Sequence, residues 1–145
     1  MQFKDLKISF ATLEKAINND LKIKVGKQAV DLFTANFQKE GFQNGAVQKW
    51  REVKRRIDPR VTGARRTRSI LTGDSGNLGR SLRYKIIGSE IIIYSDVKYA
   101  EAHNEGTTNA GRNHSVTIPQ RKFIGDSIEL KNIIEKEMDS FFNKL

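Results

Sequence analysis

The sequence predicts an α+β domain: a long N-terminal helix and a C-terminal helix packed on a small antiparallel sheet with a central hairpin. Three observations predict it. Apolar residues recur at helical spacing in the first third of the chain and again at its end, and between them two alternating runs flank Gly88-Ser89. The length, 145 residues, fits a single domain spanning 1–145. Hydrophobic residues at 37% against charged residues at 30% predict a lean core.

The first helix is read from Leu13, Ile17, Leu21, Val25, Ala29, Phe33 and Phe37, one apolar residue every four. A four-residue step drifts around a 3.6-residue helix, so Ala16, Val30 and Leu32 are needed to hold one stripe toward the core. The helix is expected from about residue 11 to about residue 40. Gly26 is a soft point in it, costing about 1 kcal/mol relative to Ala. Gly41 is the expected C-terminal stop.

No steady period follows, and the sequence predicts a basic, mobile loop at about 43–76, with room for a short helix near Val47 to Arg56. It holds the chain's one Trp, Trp50, and turn signals at Asp58-Pro59 and Val61-Thr62-Gly63-Ala64. Between residues 49 and 68 nine basic residues (Lys49, Arg51, Lys54, Arg55, Arg56, Arg60, Arg65, Arg66, Arg68) face only Glu52 and Asp58, a local +7 in a chain of +9. Such a segment attracts an acidic protein surface or a polyanion, and does so in a salt-sensitive way. The plain alternative is a solvated loop kept extended by its own charge. Nucleic acid is possible but not favoured as the partner. The basic residues are irregularly spaced and no aromatic ladder interleaves them.

The hairpin runs over Leu82 to Ile87 and Glu90 to Ser95. A two-residue Gly88-Ser89 turn of type II′ pairs Ile86 with Ile91 and Tyr84 with Ile93. Leu82, Tyr84, Ile86, Ile91 and Ile93 then share an apolar face that should lie on the first helix, while Arg83, Lys85, Ile92 and Tyr94 form a mixed face. Residues 105–115 are polar and Gly-rich and read as a loop. Val116 to Ile118 read as a third short strand ended by Pro119. The last helix carries Leu130, Ile133, Ile134, Met138, Phe141 and Leu145 on one stripe, with Asp126 and Glu129 as its capping box.

Catalytic chemistry finds little support. With no Cys, disulfides, thiolate metal ligands and thiol catalysis are excluded. His103 and His114, with Asn104 and Asn113, faintly suggest a metal-dependent nuclease. They sit around one Gly-rich loop, however, and a lone His at a strand end is more often a packing residue. Gly73-Asp74-Ser75-Gly76 lacks the spacing of a nucleophile elbow, and Gly76-Asn77-Leu78-Gly79 lacks the Gly-Lys-Ser/Thr of a phosphate loop. No catalytic, cofactor or metal residue is assigned, and no cofactor is expected. No apolar run approaches the roughly 20 residues of a membrane span, and Met1 to Asp5 do not open like a signal peptide, so a soluble protein made in a reducing cytoplasm is expected.

Three strings carry a resemblance. Ser75-Gly76-Asn77-Leu78-Gly79-Arg80-Ser81-Leu82 precedes the hairpin. Tyr99-Ala100-Glu101-Ala102-His103-Asn104-Glu105-Gly106 follows it. Ile118-Pro119-Gln120-Arg121-Lys122-Phe123-Ile124-Gly125 precedes the last helix. In this order, with Phe37 to Gly41 and Trp50 upstream, the chain resembles the phage virion morphogenesis family, the tail completion and head-to-tail joining proteins of long-tailed bacteriophages and prophages. The family pattern runs from a helix ending Phe-x-x-x-Gly and a Trp to Thr-Gly-x-Leu-x-x-Ser-Ile, Tyr-Ala-x-x-His-x-x-Gly and Ile-Pro-x-Arg-x-Phe-Leu-Gly. Nearly the whole chain is covered. Ser75 stands where the family has Thr, and Lys122 where Pro is frequent.

The residues of these strings read as structural. Gly76 permits a turn at positive φ that lets Leu78 into the core. Ser81 hydrogen-bonds the strand start. Tyr99 and Ala100 continue the hairpin, and His103 packs beyond it. Gly106 turns the chain, and Pro119 ends a strand. Arg121 forks onto a carboxylate or carbonyls, and Phe123 seeds the last helix. The resemblance implies a non-enzymatic structural role in the virion, assembled in the host bacterial cytoplasm. It also implies other phage tail or connector proteins as partners, with either self-association in a homo-oligomeric ring or docking on a ring-shaped partner.

Overall fold

The computed structural model describes residues 6–9, 19–72 and 76–144. Leu13, Ala16 and Ile17 of the expected helical stripe, the Gly73-Asp74-Ser75 string and Leu145 lie outside the described residues. The spine is α1 (Asn19–Lys39), whose Leu21, Val25, Ala29, Phe33 and Phe37 are buried as the stripe predicts. Val30 and Leu32 pack at its margin.

Strands β4 (Leu82–Ile87) and β5 (Glu90–Ser95) form the expected hairpin in the expected register, Ile86 opposite Ile91 and Tyr84 opposite Ile93. Gly88 takes φ +59°, which the first position of a type II′ turn requires. The sheet has a third strand that the sequence reading missed. β1 (Leu6–Ser9) runs antiparallel to β5 on its other edge, with Ile8 opposite Ile91. Order β1-β5-β4 makes β5 central, and its Ile91 and Ile93 are fully buried against α1. On the mixed face Ile92 is also buried, between Lys7 and Lys85 in register. Aliphatic lysine stems suit that position.

Gly26 is a point of contact rather than a soft point. A Cβ there would lie 2.6 Å from Tyr84 Cδ2, so glycine lets α1 approach the hairpin. Next to it Lys22 is buried and donates from Nζ to Gly88 O at 2.9 Å, tying α1 to the hairpin turn.

The helix does not stop on Gly41. Glu40 takes the left-handed conformation, at φ +51°, and Gly41 opens a strand. Gly41 is needed because a Cβ would meet Gln48 O at 2.7 Å across the next hairpin. That hairpin, β2 (Gly41–Asn44) and β3 (Ala46–Lys49) around Gly45, corrects the expectation of one loop over 43–76. The same segment holds two single-turn helices, α2 (Lys54–Ile57) and α3 (Ala64–Thr67). Only Phe42 of these strands is a buried large side chain, so no alternation marked them.

Two more corrections concern the C-terminal half. Tyr99 and Ala100 do not extend the hairpin but begin α4 (Ala100–Glu105). Residues 105–115 are not one loop. β6 (Thr107–Ala110) pairs with β7 (Val116–Ile118), the expected third strand. Peptide bonds among the described residues are all trans, including that before Pro119.

The last helix, α5 (Ile128–Phe142), is capped by Ser127 rather than Asp126, its hydroxyl accepting from Leu130 N at 3.1 Å. Glu129 does not close a box. It accepts from Gly45 N at 2.9 Å and from Gln43 Nε2, while Asn44 Oδ1 accepts from Ile128 N. The β2–β3 turn and the start of α5 therefore satisfy each other's backbone. Leu130 is buried, and Ile134, Met138 and Phe141 pack against the core from α5. Among the described residues no helix is long and apolar enough to cross a membrane.

Candidate interaction surface

The basic segment is mounted on the core at both ends. Trp50 N donates to Glu40 O at 2.8 Å. The Trp50 ring meets Phe37 edge-on at 5.6 Å, and its Nε1 donates to Lys122 O at 2.8 Å. At the far end Ile70 is buried. Between these anchors, arginines tie together the loops and the single-turn helices α2 and α3. Arg55 donates to the carbonyls of Arg65, Arg68 and Ser69 at 2.7–2.9 Å. Arg66 donates to those of Asp58 and Val61. Arg56 forks onto the Glu40 carboxylate at 2.6 and 2.8 Å and also reaches Arg68 O. A guanidinium has five donors, enough to satisfy carbonyls of several turns at once.

These contacts divide the nine basic residues. Arg55, Arg56, Arg66 and Arg68 are half-buried, and the first three hold the segment together. Lys49, Arg51, Lys54, Arg60 and Arg65 are exposed. Lys49 reaches back to Lys39 O, and Arg60 pairs with Asp58 at 2.9 Å. The hydrogen bond from Arg56 holds the Glu40 carboxyl below its ordinary value. Burial, then the neighbouring charge of Arg56, lowers Arg55.

Beside α2 lies a cleft of about 660 Å³ between this segment and β7. Arg51, Glu52, Val53, Lys54 and Ile57 line one side, and Thr117 and Pro119 the other. Ile57, at the end of α2 beside the cleft, is 69% exposed. Arg121, also lining the cleft, is itself buried. It donates from Nε to Arg51 O at 3.0 Å and from a terminal nitrogen to Glu52 O at 3.3 Å.

Trp50, His103, Gly106, Arg121 and Phe123 meet around residues 119–125. Phe123 is fully buried, 5.0 Å from Phe37 ring to ring. Arg121 N donates to His103 O at 2.8 Å. A Cβ on Gly106, at φ +75°, would collide with Gln120. Gly76 takes φ +65°, and Leu78 two residues on is buried. Ser81 Oγ bonds Leu78 O and Ser95 Oγ in the interior, and Ala100 is fully buried. Tyr99 is half-exposed, edge-on to the His103 ring. Two residues that the sequence reading did not single out for this role complete the arrangement. Asn36 Nδ2 donates to Phe123 O, and Asn104 Oδ1 accepts from both Phe123 N and Ile124 N.

The two histidines are in different settings. His103 is partly buried with Nδ1 shielded and unpartnered, and burial, then Arg121, lowers its pKa from the ordinary 6.5. His114 is exposed in the β6–β7 turn, its Nδ1 3.3 Å from Asn109 O. Asn104 faces the core and not a site with either of them. Among the described residues no three His, Asp or Glu side chains are grouped so as to hold a metal ion.

In a comparison with known families, the model of the phage virion morphogenesis family fits residues 8–142. No curated protein and no solved structure matches the chain.

Proposed function

Because the chain belongs to the phage virion morphogenesis family, we propose that it is a non-enzymatic structural protein that completes a bacteriophage tail or joins the tail to the head. It is made in the host bacterial cytoplasm and ends as a virion component. It contacts other tail or connector proteins, and further copies of itself in a homo-oligomeric ring. The family match along residues 8–142 carries this reading. The use of the motif residues supports it. Trp50, Ser81, Arg121 and Phe123 serve backbone and core, which leaves the exposed cations beside the α2 cleft to meet a neighbour. Shape and charge complementarity is then the mechanism.

The test is deletion of the gene from the phage that encodes it. Mature heads and finished tails should accumulate separately in electron micrographs. The wild-type chain should restore joined particles, and an Arg51→Glu, Lys54→Glu variant with an unchanged melting curve should not. Normal particle yield without the gene would overturn the proposal.

A second reading, a nucleic-acid-binding module using residues 49–68, is favoured by the exposure of Lys49, Arg51, Lys54 and Arg65. Duplex DNA titrated at two salt concentrations decides it. Binding that falls steeply with salt supports this reading, and no binding at ~50 mM salt removes it.

A further inference from the structure

Two open surfaces of the described chain are complementary to each other. The first is the α2 cleft, where exposed Ile57 stands beside Arg51 and Lys54. The second is a groove of about 610 Å³ at the start of α5. Leu130 and Ile134 line it, Ile128 stands 55% exposed beside them, and Asp126 and Glu135 border it. Lys131 is the cation among its lining residues. The charge around the groove opposes that of the cleft. Among the groove's lining residues Asp126 and Glu135 outnumber Lys131, whereas in the cleft Arg51 and Lys54 outnumber Glu52. Each surface thus offers an apolar centre with charge at its edge, the layout of a protein interface.

We propose that the α2 cleft of one copy docks on the α5 groove of the next, with Ile57 entering beside Ile128 and Ile134 while Arg51 and Lys54 face Asp126 and Glu135. The proposal rests on the self-association included in the assembly reading, and names the surfaces that achieve it. A protruding isoleucine on one patch and an apolar groove on the other remove each other from water. The opposite charges set the orientation and disfavour cleft-to-cleft pairing. Because the two patches differ, the contact is heterologous. Every pair keeps one free cleft and one free groove, so copies add until the arc closes.

Light scattering on the full chain tests this, with two variants, Lys54→Glu with Ile57→Asp in the cleft and Ile128→Asp with Glu135→Lys in the groove. All four side chains are exposed or partly exposed, and circular dichroism melts confirm that each variant folds. The wild type should exceed twice the monomer mass and lose mass as salt rises. Each variant alone should be monomeric. An equimolar mixture should give twice the monomer mass, because one variant keeps its groove and the other its cleft. Wild-type chains that stay monomeric at the highest soluble concentration overturn the proposal, whether or not they bind DNA. Variants that associate like the wild type, or a mixture that stays monomeric, overturn this interface and leave self-association standing. The head-to-tail joining role is read separately, from particles in the deletion experiment.

Discussion

Asn36 and Asn104 grip the same residue from two helices. Asn36 Nδ2, on α1, donates to Phe123 O at 3.0 Å, and Asn104 Oδ1, on α4, accepts from Phe123 N at 2.8 Å. Both side chains are almost wholly buried. Residues 119–125 belong to no helix or strand, so their buried backbone depends on side chains for its partners. Asn104→Ala removes the acceptor of two amides and the donor to Ile124 O. It should cost about 2–4 kcal/mol, read as a lower urea midpoint. Asn36→Ala, which frees Phe123 O and Gln43 N, should cost about 1–3 kcal/mol.

The Glu40–Arg56 fork should make stability depend on acid. Glu40 sits below its ordinary 4.5 because Arg56 hydrogen-bonds its charged form. The contribution is therefore complete above 4.5 and is lost as pH falls through the lower folded-state value. Glu40→Gln should cost about 1 kcal/mol at neutral pH, and its difference from wild type should shrink in acid. The same variant should be cut faster by trypsin at exposed Arg60 and Arg65, because Arg56 then holds the segment less firmly.

His103 gives a second, separate pH window. Its pKa is lowered, by burial first and then by Arg121, so below the ordinary 6.5 the unfolded chain binds a proton more readily than the folded one. Stability is complete above 6.5, falls as pH drops through the window, and levels off below the folded-state value. His103→Gln should flatten the urea midpoint between about pH 7.5 and 5.5, where the wild type declines.

Gly26→Ala should destabilise the protein although alanine is the better helix former. The propensity gain is about 1 kcal/mol, and overpacking against Tyr84 costs about 1–3 kcal/mol. A net loss of about 1 kcal/mol is expected in thermal melts, and Tyr84→Leu in the same chain should reverse the sign of the alanine effect.

The β4–β5 hairpin was legible, because the alternation from Leu82 to Ile86 and the two-residue Gly88-Ser89 turn together fix one register. The α1 stripe was legible for the same kind of reason, five buried residues at one spacing. β1 was not, since four residues acquire meaning only from the open edge of β5. The β2–β3 hairpin hides because Gly45 and one buried aromatic, Phe42, are its whole signal. Arg121 was readable as a fork, but its acceptors, the carbonyls of Arg51 and Glu52, lie about 70 residues away along the chain. Asn36 left a trace, a polar residue three positions after Phe33 on an apolar stripe. Asn104 left none, because α4 is too short to show a period. The nine basic residues look alike in sequence. Only the fold separates the arginines that hold carbonyls from the cations left in water.

The placement of residues 119–125 also sets the order of events at the ribosome. When the chain has been made as far as β6, α1 and the hairpin exist, but Phe37 and Trp50 still lack the Phe123 and Lys122 that cover them. Closure joins partners up to 87 residues apart, a separation that slows folding and leaves apolar surface open meanwhile. The nascent protein is thus a lidless box until residues 119–125 emerge, and a messenger truncated before that point would yield a sticky fragment rather than a smaller working part.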